Sequence, residues 1–229
     1  MSTEARLELG PSSLTDALYE SVRKRIVNGE IPQGEKLTEV RLATEYDVAR
    51  PTAKAALERL TALGLLRRTA HKTAVVPVLD QAEIRDLFFS RMTIEKAAVS
   101  ALAVTGRVPA EAARAQVAIE YAARDRLFEN QVDADIAFHT ALVAAVGSRR
   151  LSRMHELIIG EVHLTMGQYQ AHRKAAPTTV AEEHAAILKA IEDGSPDAAA
   201  EHLAYHLEQA QGRLLTTLQQ QSSDQVVTQ

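Results

Sequence analysis

From residue 82 to about residue 219 the chain is a succession of apolar stripes at helical spacing. Breakers at Gly106/Pro109, Asn130, Gly147, Pro177 and Gly194/Pro196 separate them. Amphipathic helices laid end to end can hide their apolar faces only against one another. This part therefore reads as an all-helical bundle, with helices near 82–105, 109–128, 130–146, 149–172, 178–193 and 196–219. The front of the chain reads differently. Helices are expected over about 14–28, 38–46 and 49–63, the last two joined tightly around Asp47-Val48 and the third stopped by Gly64. "LLRRT" and "AVVPV" follow as two short strands with a tip at "AHK". Residues 77–81 read as a linker, and 1–12 and 221–229 as disordered tails. The expected fold is mainly α: a winged helix-turn-helix over 1–79, then a helical bundle over 80–229, with no internal repeat of fixed period.

The front module carries the basic charge. Overall the chain has a net charge of −4, which argues against a general polyanion binder. Residues 1–79, however, hold 12 basic and 10 acidic side chains, while the remainder holds 14 and 20. Within 50–72, Arg50, Lys54, Arg59, Arg67, Arg68 and Lys72 face Glu58 alone. Such a patch on an acidic protein marks either a localised anion partner or a solvated face. In a winged helix the third helix enters the major groove and the hairpin flanks it. Arg50 and Lys54, one turn apart at the start of that helix, then project together, with Thr52 as a neutral hydrogen-bonding group beside them. Arg67, Arg68 and Lys72 lie on the wing. These six are the candidate DNA contacts, and two-fold operator DNA bound by a homodimer is the expected partner.

The rear domain has an anomaly in "DADIAFHTALVAAV". On a helix, Val132, Leu142 and Val146 fall within roughly 60° of Asp135, and so does His139. A carboxylate and an imidazole thus occupy a stripe that should be buried, where an unpaired charge is costly. An ion pair, a hydrogen-bond network or a metal would resolve it. His184 lies centrally among Val180, Ile187, Leu188 and Ile191. His206 sits about 80° from the centre of the last stripe, and His202 about 120°, closer to solvent. His155 also phases inward and is a rival. Three imidazoles and one carboxylate suit Zn²⁺ or Ni²⁺ better than Mn²⁺ or Fe²⁺. The absence of Cys excludes thiolate sites and disulfides. With no long uncharged apolar run and no signal-peptide pattern at the N-terminus, a cytoplasmic protein without a membrane span is expected.

The residues carry a resemblance. "LYESVRKRIVNGEIPQGEKLTEVRLATEYDVARPTAKAALERLTALGLLRR" resembles the GntR family of bacterial repressors, through "I..G...G..L.E..LA", "V.R" and "AL.RL...GL". Gln33 stands where the family usually has Pro, Lys54 replaces an arginine, and the wing-tip glycine is missing near His71-Lys72-Thr73. A lysine at 54 implies a point-charge contact rather than a bidentate one. The rear domain looks like the FCD ligand-binding domain of the FadR-type branch, through "D..FH..L" at 135–142, "EH..I..AI" at 183–191 and "HL" at 206–207. The resemblance implies that Asp135, His139, His184 and His206 hold a divalent metal, and His155 matches no ligand position. Arg91 phases with Ile84, Leu87, Ala98 and Leu102. It reads either as the partner of Glu95 one turn on or, as the resemblance implies, as the clamp for a small carboxylate effector.

The expected function is a metabolite-responsive DNA-binding repressor, not an enzyme. A metal-responsive regulator and a metal-dependent hydrolase are the alternatives. No HExxH and no Glu-x-x-His occurs in the chain, which weighs against the hydrolase.

Overall fold

The computed structural model describes residues 14–68, 73–169 and 178–227. The front module runs α1 (Leu14–Val27), β1 (Lys36–Leu37), α2 (Glu39–Glu45), α3 (Arg50–Ala62), β2 (Arg67–Arg68) and β3 (Ala74–Val75). Leu18, Val22 and Ile26 of α1 repeat at helical spacing and close over Leu57 and Leu60 of α3 and Leu42 of α2, all buried. Thr38 caps α2 by accepting from the Arg41 N–H. The tight turn between α2 and α3 places Asp47 at φ +50°, a left-handed conformation that Asp tolerates better than most residues. The wing has three strands, ordered β1-β3-β2, where the sequence reading gave two. The extra strand pairs Lys36 with Val75 and Leu37 with Ala74. It is two residues long and lies inside a Gly/Pro-rich segment, too short for alternation to announce it.

The rear domain runs α4 (Gln81–Thr105), α5 (Ala110–Asp125), α6 (Phe128–Ala145), α7 (Arg149–Gln168), α8 (Thr179–Glu192) and α9 (Pro196–Val227). Asp80 starts α4 through a capping box with Glu83. The last helix overruns its expected end and takes in most of the 221–229 tail read as disordered. No Gly or Pro follows Gly212, so nothing in "LLTTLQQQSSDQVV" stops the helical backbone. The 1–12 tail lies outside the described residues. No helix among the described residues is long and apolar enough to cross a membrane.

One core holds Val22, Leu60, Val76 and their neighbours; a second begins at Leu79 and fills the bundle. The α7 helix belongs to both. Leu164 is fully buried in the front core. On either side of it α7 presents glycines where backbone meets backbone. A Cβ at Gly160 would lie 1.5 Å from the Leu63 carbonyl oxygen, at the end of α3. A Cβ at Gly167 would lie 2.5 Å from the Val27 carbonyl oxygen, at the end of α1. Gln168 donates to the Ile26 and Ile31 carbonyls at 2.7 and 3.2 Å. Tyr169 donates to Gln33 at 2.9 Å. A proline at 33 would lack that acceptor side chain.

Candidate functional site

Asp135 and His139, one turn apart on α6, point to the same place because residues four apart share a helix face. His184 on α8 and His206 on α9 reach it from across the bundle. One ligand atom from each of the four lies within 4.8 Å of all the others, and all four residues are fully buried. His206 Nε2 lies 3.1 Å from both His139 Nε2 and His184 Nε2. Asp135 Oδ1 stands 3.3 Å from His184 Nε2, 3.9 Å from His139 Nε2 and 4.0 Å from His206 Nε2. Phe138 stacks on the His184 ring at 4.2 Å between centroids and fixes its plane.

Behind this cluster stands a layer of carboxylates. His206 Nδ1 lies 2.7 Å from Glu183 Oε2. His139 Nδ1 lies 2.6 Å from Glu95 Oε2, a close charge contact whose alignment falls short of a good hydrogen bond. The other oxygen, Glu95 Oε1, faces Arg91 Nε at 2.7 Å and His155 Nε2 at 3.0 Å. Burial alone would raise the Glu95 carboxyl; the Arg91 guanidinium and the His139 ring override it and hold Glu95 well below the usual carboxylate range. Burial, reinforced by His184 and His139, pushes His206 well below the usual imidazole range, so its ring is neutral. Burial raises Glu183, with Arg213 pulling the other way.

These residues fit a divalent metal. A neutral imidazole whose Nδ1 faces a carboxylate, as those of His206 and His139 do, can offer the lone pair of its Nε2 to an ion. Two such lone pairs facing each other at 3.1 Å, beside a carboxylate, form an anionic pocket that a cation relieves. His155 points inward, but toward Glu95 rather than into the cluster. His202 is exposed.

Arg91 is fully buried and is paired with Glu95, the plainer of the two sequence readings. That pair uses only Nε. Both terminal nitrogens are buried without a hydrogen-bond partner among the described residues, and Nη2 stands 4.0 Å from Asp135 Oδ2. The guanidinium fork is therefore left over beside the cluster.

On the front module, Arg50 and Lys54 are exposed at the start of α3, and Thr52 is half-buried between them. Ala49 supplies no side-chain cap, Pro51 has no N–H, and Thr52 and Ala53 bond the Ala49 carbonyl, which leaves the Arg50 N–H at this end. Lys54 is 3.9 Å from Glu58, as is Arg68. Arg67 departs from the expected DNA-facing role. It bonds Glu83 at 2.6 Å and Glu161 at 3.2 Å, so its charge is spent on the junction between the domains. β2 lies where the wing meets α4 and α7, which sequence spacing does not reveal. Lys72 lies outside the described residues.

Comparison with known proteins bears on both halves. The family described as bacterial regulatory proteins, gntR family, matches residues 14–76, and the FCD domain matches residues 86–209. HTH-type transcriptional regulator BphR of Paraburkholderia xenovorans, itself uncharacterised, is 27% identical over 208 residues, 86% of this chain and 83% of that protein. HTH-type transcriptional regulator YdhC of Bacillus subtilis, also uncharacterised, is 23% identical over 194 residues, 82% of this chain and 85% of that one. Among solved structures, one titled as a transcriptional regulator GntR from Rhodococcus sp. RHA1 superposes with a TM-score of 0.72 at 25% identity, covering 90% of this chain and 99% of that one. McbR/YncC of E. coli shares the fold, with a TM-score of 0.69 at 20% identity over 90% of this chain and 98% of that one.

Proposed function

Because the chain belongs to the GntR family of bacterial regulatory proteins and carries an FCD domain, we propose that this transcriptional regulator is a cytoplasmic homodimeric repressor released from its operator by a small carboxylate. Arg50, Thr52, Lys54 and Arg68 meet the DNA, and a single winged helix offers so few contacts that two half-sites are needed. Asp135, His139, His184 and His206 hold a divalent ion, with Zn²⁺ or Ni²⁺ the best match to three imidazoles and one carboxylate. Arg91 grips the acid beside the ion.

The observation that carries this reading is the pairing of an anionic pocket with a buried, partly unclaimed guanidinium fork next to it. The bound ion supplies a Lewis-acidic point for an acid oxygen. Arg91 supplies two parallel donors, the geometry that recognises a carboxylate. Among the described residues, Glu95 and Glu183 face imidazoles and Asp135 is one of the four ligands, so the carboxylates here are engaged in holding the cluster, which supports regulation over hydrolysis.

The test uses DNA recovered by selection from the source genome and full-length protein loaded with Zn²⁺ or Ni²⁺. A panel of small carboxylates is screened by thermal shift, and those that stabilise are added to the protein–DNA complex in anisotropy. A carboxylate that releases DNA from the wild type and has no effect on Arg91→Lys, which keeps the charge and loses the fork, supports the clamp. Equal response of the two proteins removes it. The complete burial of all four ligands favours a second reading, in which the ion is itself the signal. Under that reading chelation alone changes DNA affinity and no carboxylate does.

A further inference from the structure

We infer that Glu183 and Glu95 are positioning residues for the metal centre, each fixing the ring of one histidine ligand so that its Nε2 faces the ion as a lone-pair donor. The inference rests on the metal reading above and concerns residues that make no contact with the ion themselves. A histidine has two nitrogens, and the one that carries the proton is set by what the other nitrogen meets. Glu183 Oε2 stands 2.7 Å from His206 Nδ1, and Glu95 Oε2 stands 2.6 Å from His139 Nδ1.

Two features make this more than casual neighbourliness. Glu95 is held through its other oxygen: Oε1 faces Arg91 and His155, so His139 settles against a carboxylate whose place is already fixed. Glu183 has a second candidate partner in Arg213, but that contact is 3.8 Å, more than 1 Å longer than the contact with His206. Glu183 also directly precedes His184. Two consecutive residues of α8 therefore serve two ligands, His184 by supplying its own nitrogen and Glu183 by orienting His206 across on α9. A glutamine at 183 has nearly the same shape, yet it is neutral and can present an N–H to Nδ1. That presentation forces the proton to Nε2, where it blocks the ion.

The test uses full-length protein stripped with chelator and labelled with ¹⁵N in its histidines. Imidazole NMR at neutral pH should find His206 and His139 with the proton on Nδ1. Zn²⁺ titration against a chromogenic chelator should show Glu183→Gln binding 10–100-fold more weakly than wild type, while its far-UV circular dichroism and apo melting stay close to wild type. Should Glu183→Gln fail to fold, Glu95→Gln is read the same way on His139. A proton on Nε2 of His206 in the wild type, or variants that bind Zn²⁺ as tightly as wild type, overturns the inference and leaves the metal reading standing. A wild type that takes up neither Zn²⁺ nor Ni²⁺ removes the metal reading and this inference with it.

Discussion

Replacing Gly160 by alanine should loosen the junction between the DNA-binding module and the FCD domain. A Cβ at 160 would stand 1.5 Å from the Leu63 oxygen and 2.7 Å from the Leu63 carbonyl carbon. Contacts under 3.0 Å do not persist, so α7 and the end of α3 must part by about 1.5 Å. Overpacking costs about 1–3 kcal/mol when side chains can yield. Here the opposing atoms are backbone, which puts the cost at the top of that range. Alanine in place of a helix-interior glycine returns about 1 kcal/mol. The net loss of about 2 kcal/mol corresponds to a fall in Tm of about 4–8 °C for a chain of this length. Gly212, in the interior of α9, is the internal control, since a Cβ there meets nothing within 4 Å. Gly212→Ala should keep the propensity gain alone and raise Tm by about 2–4 °C. Scanning calorimetry of both variants, with limited proteolysis at 76–81 to report an opened junction, decides the matter. If Gly160→Ala melts at or above wild type, α7 is not seated on α3 as described.

Other outcomes follow from the same geometry. Arg50→Ala should weaken specific DNA binding by about 1–3 kcal/mol if it reads a guanine. Lys54→Ala should instead reduce the salt slope by about one if it touches phosphate; a double variant with wild-type affinity removes both assignments. His184→Ala should lose Zn²⁺ or Ni²⁺ uptake and the metal-dependent rise in Tm, while the exposed His202→Ala should keep both, as read by metal analysis and thermal shift. Acid should destabilise the metal-free protein in two legs. His206 has a depressed folded pKa, so its contribution is present above the unfolded value of about 6.5 and is lost as pH falls below it. Glu95 is depressed as well, so its share is lost as pH falls below about 4.3. Urea midpoints that stay flat from pH 7 to 5 contradict the first leg.

Much of this was legible along the chain, for reasons that particular residues make plain. Asp135 and His139 stood out because a 3.6-residue period places them among Val132 and Leu142, and burial of polar groups there demands an explanation. Phase also turned His155 inward, but phase carries no information on which neighbour an inward group meets. That neighbour proved to be Glu95, read in sequence only as the partner of Arg91. Glu183 appeared in the sequence only as the first letter of "EH..I..AI" and carried no role there, since a glutamate beside a histidine on a helix looks like any solvated charge. Gly160 and Gly167 were equally silent. A glycine inside a helix reads as a weak point, and the cause of these two lies in the Leu63 and Val27 carbonyls of the other domain.

The sharing of α7 between the two cores bears on how regulators of this architecture can be recombined. A crossover at Pro77 would carry the whole winged helix to a new effector domain but leave Leu164 behind. The transplanted module would arrive with an unfilled hole in its core. It would also lack the two glycines that let α1 and α3 seat their ends, and the Gln168 amide that meets the Ile26 and Ile31 carbonyls. The heritable unit of DNA recognition is thus discontinuous in sequence: residues 14–76 together with the 160–168 face of a helix some eighty positions downstream. Functional chimaeras should be those whose acceptor domain already has small residues at 160 and 167 and an aliphatic side chain at 164, whatever the identity of the linker.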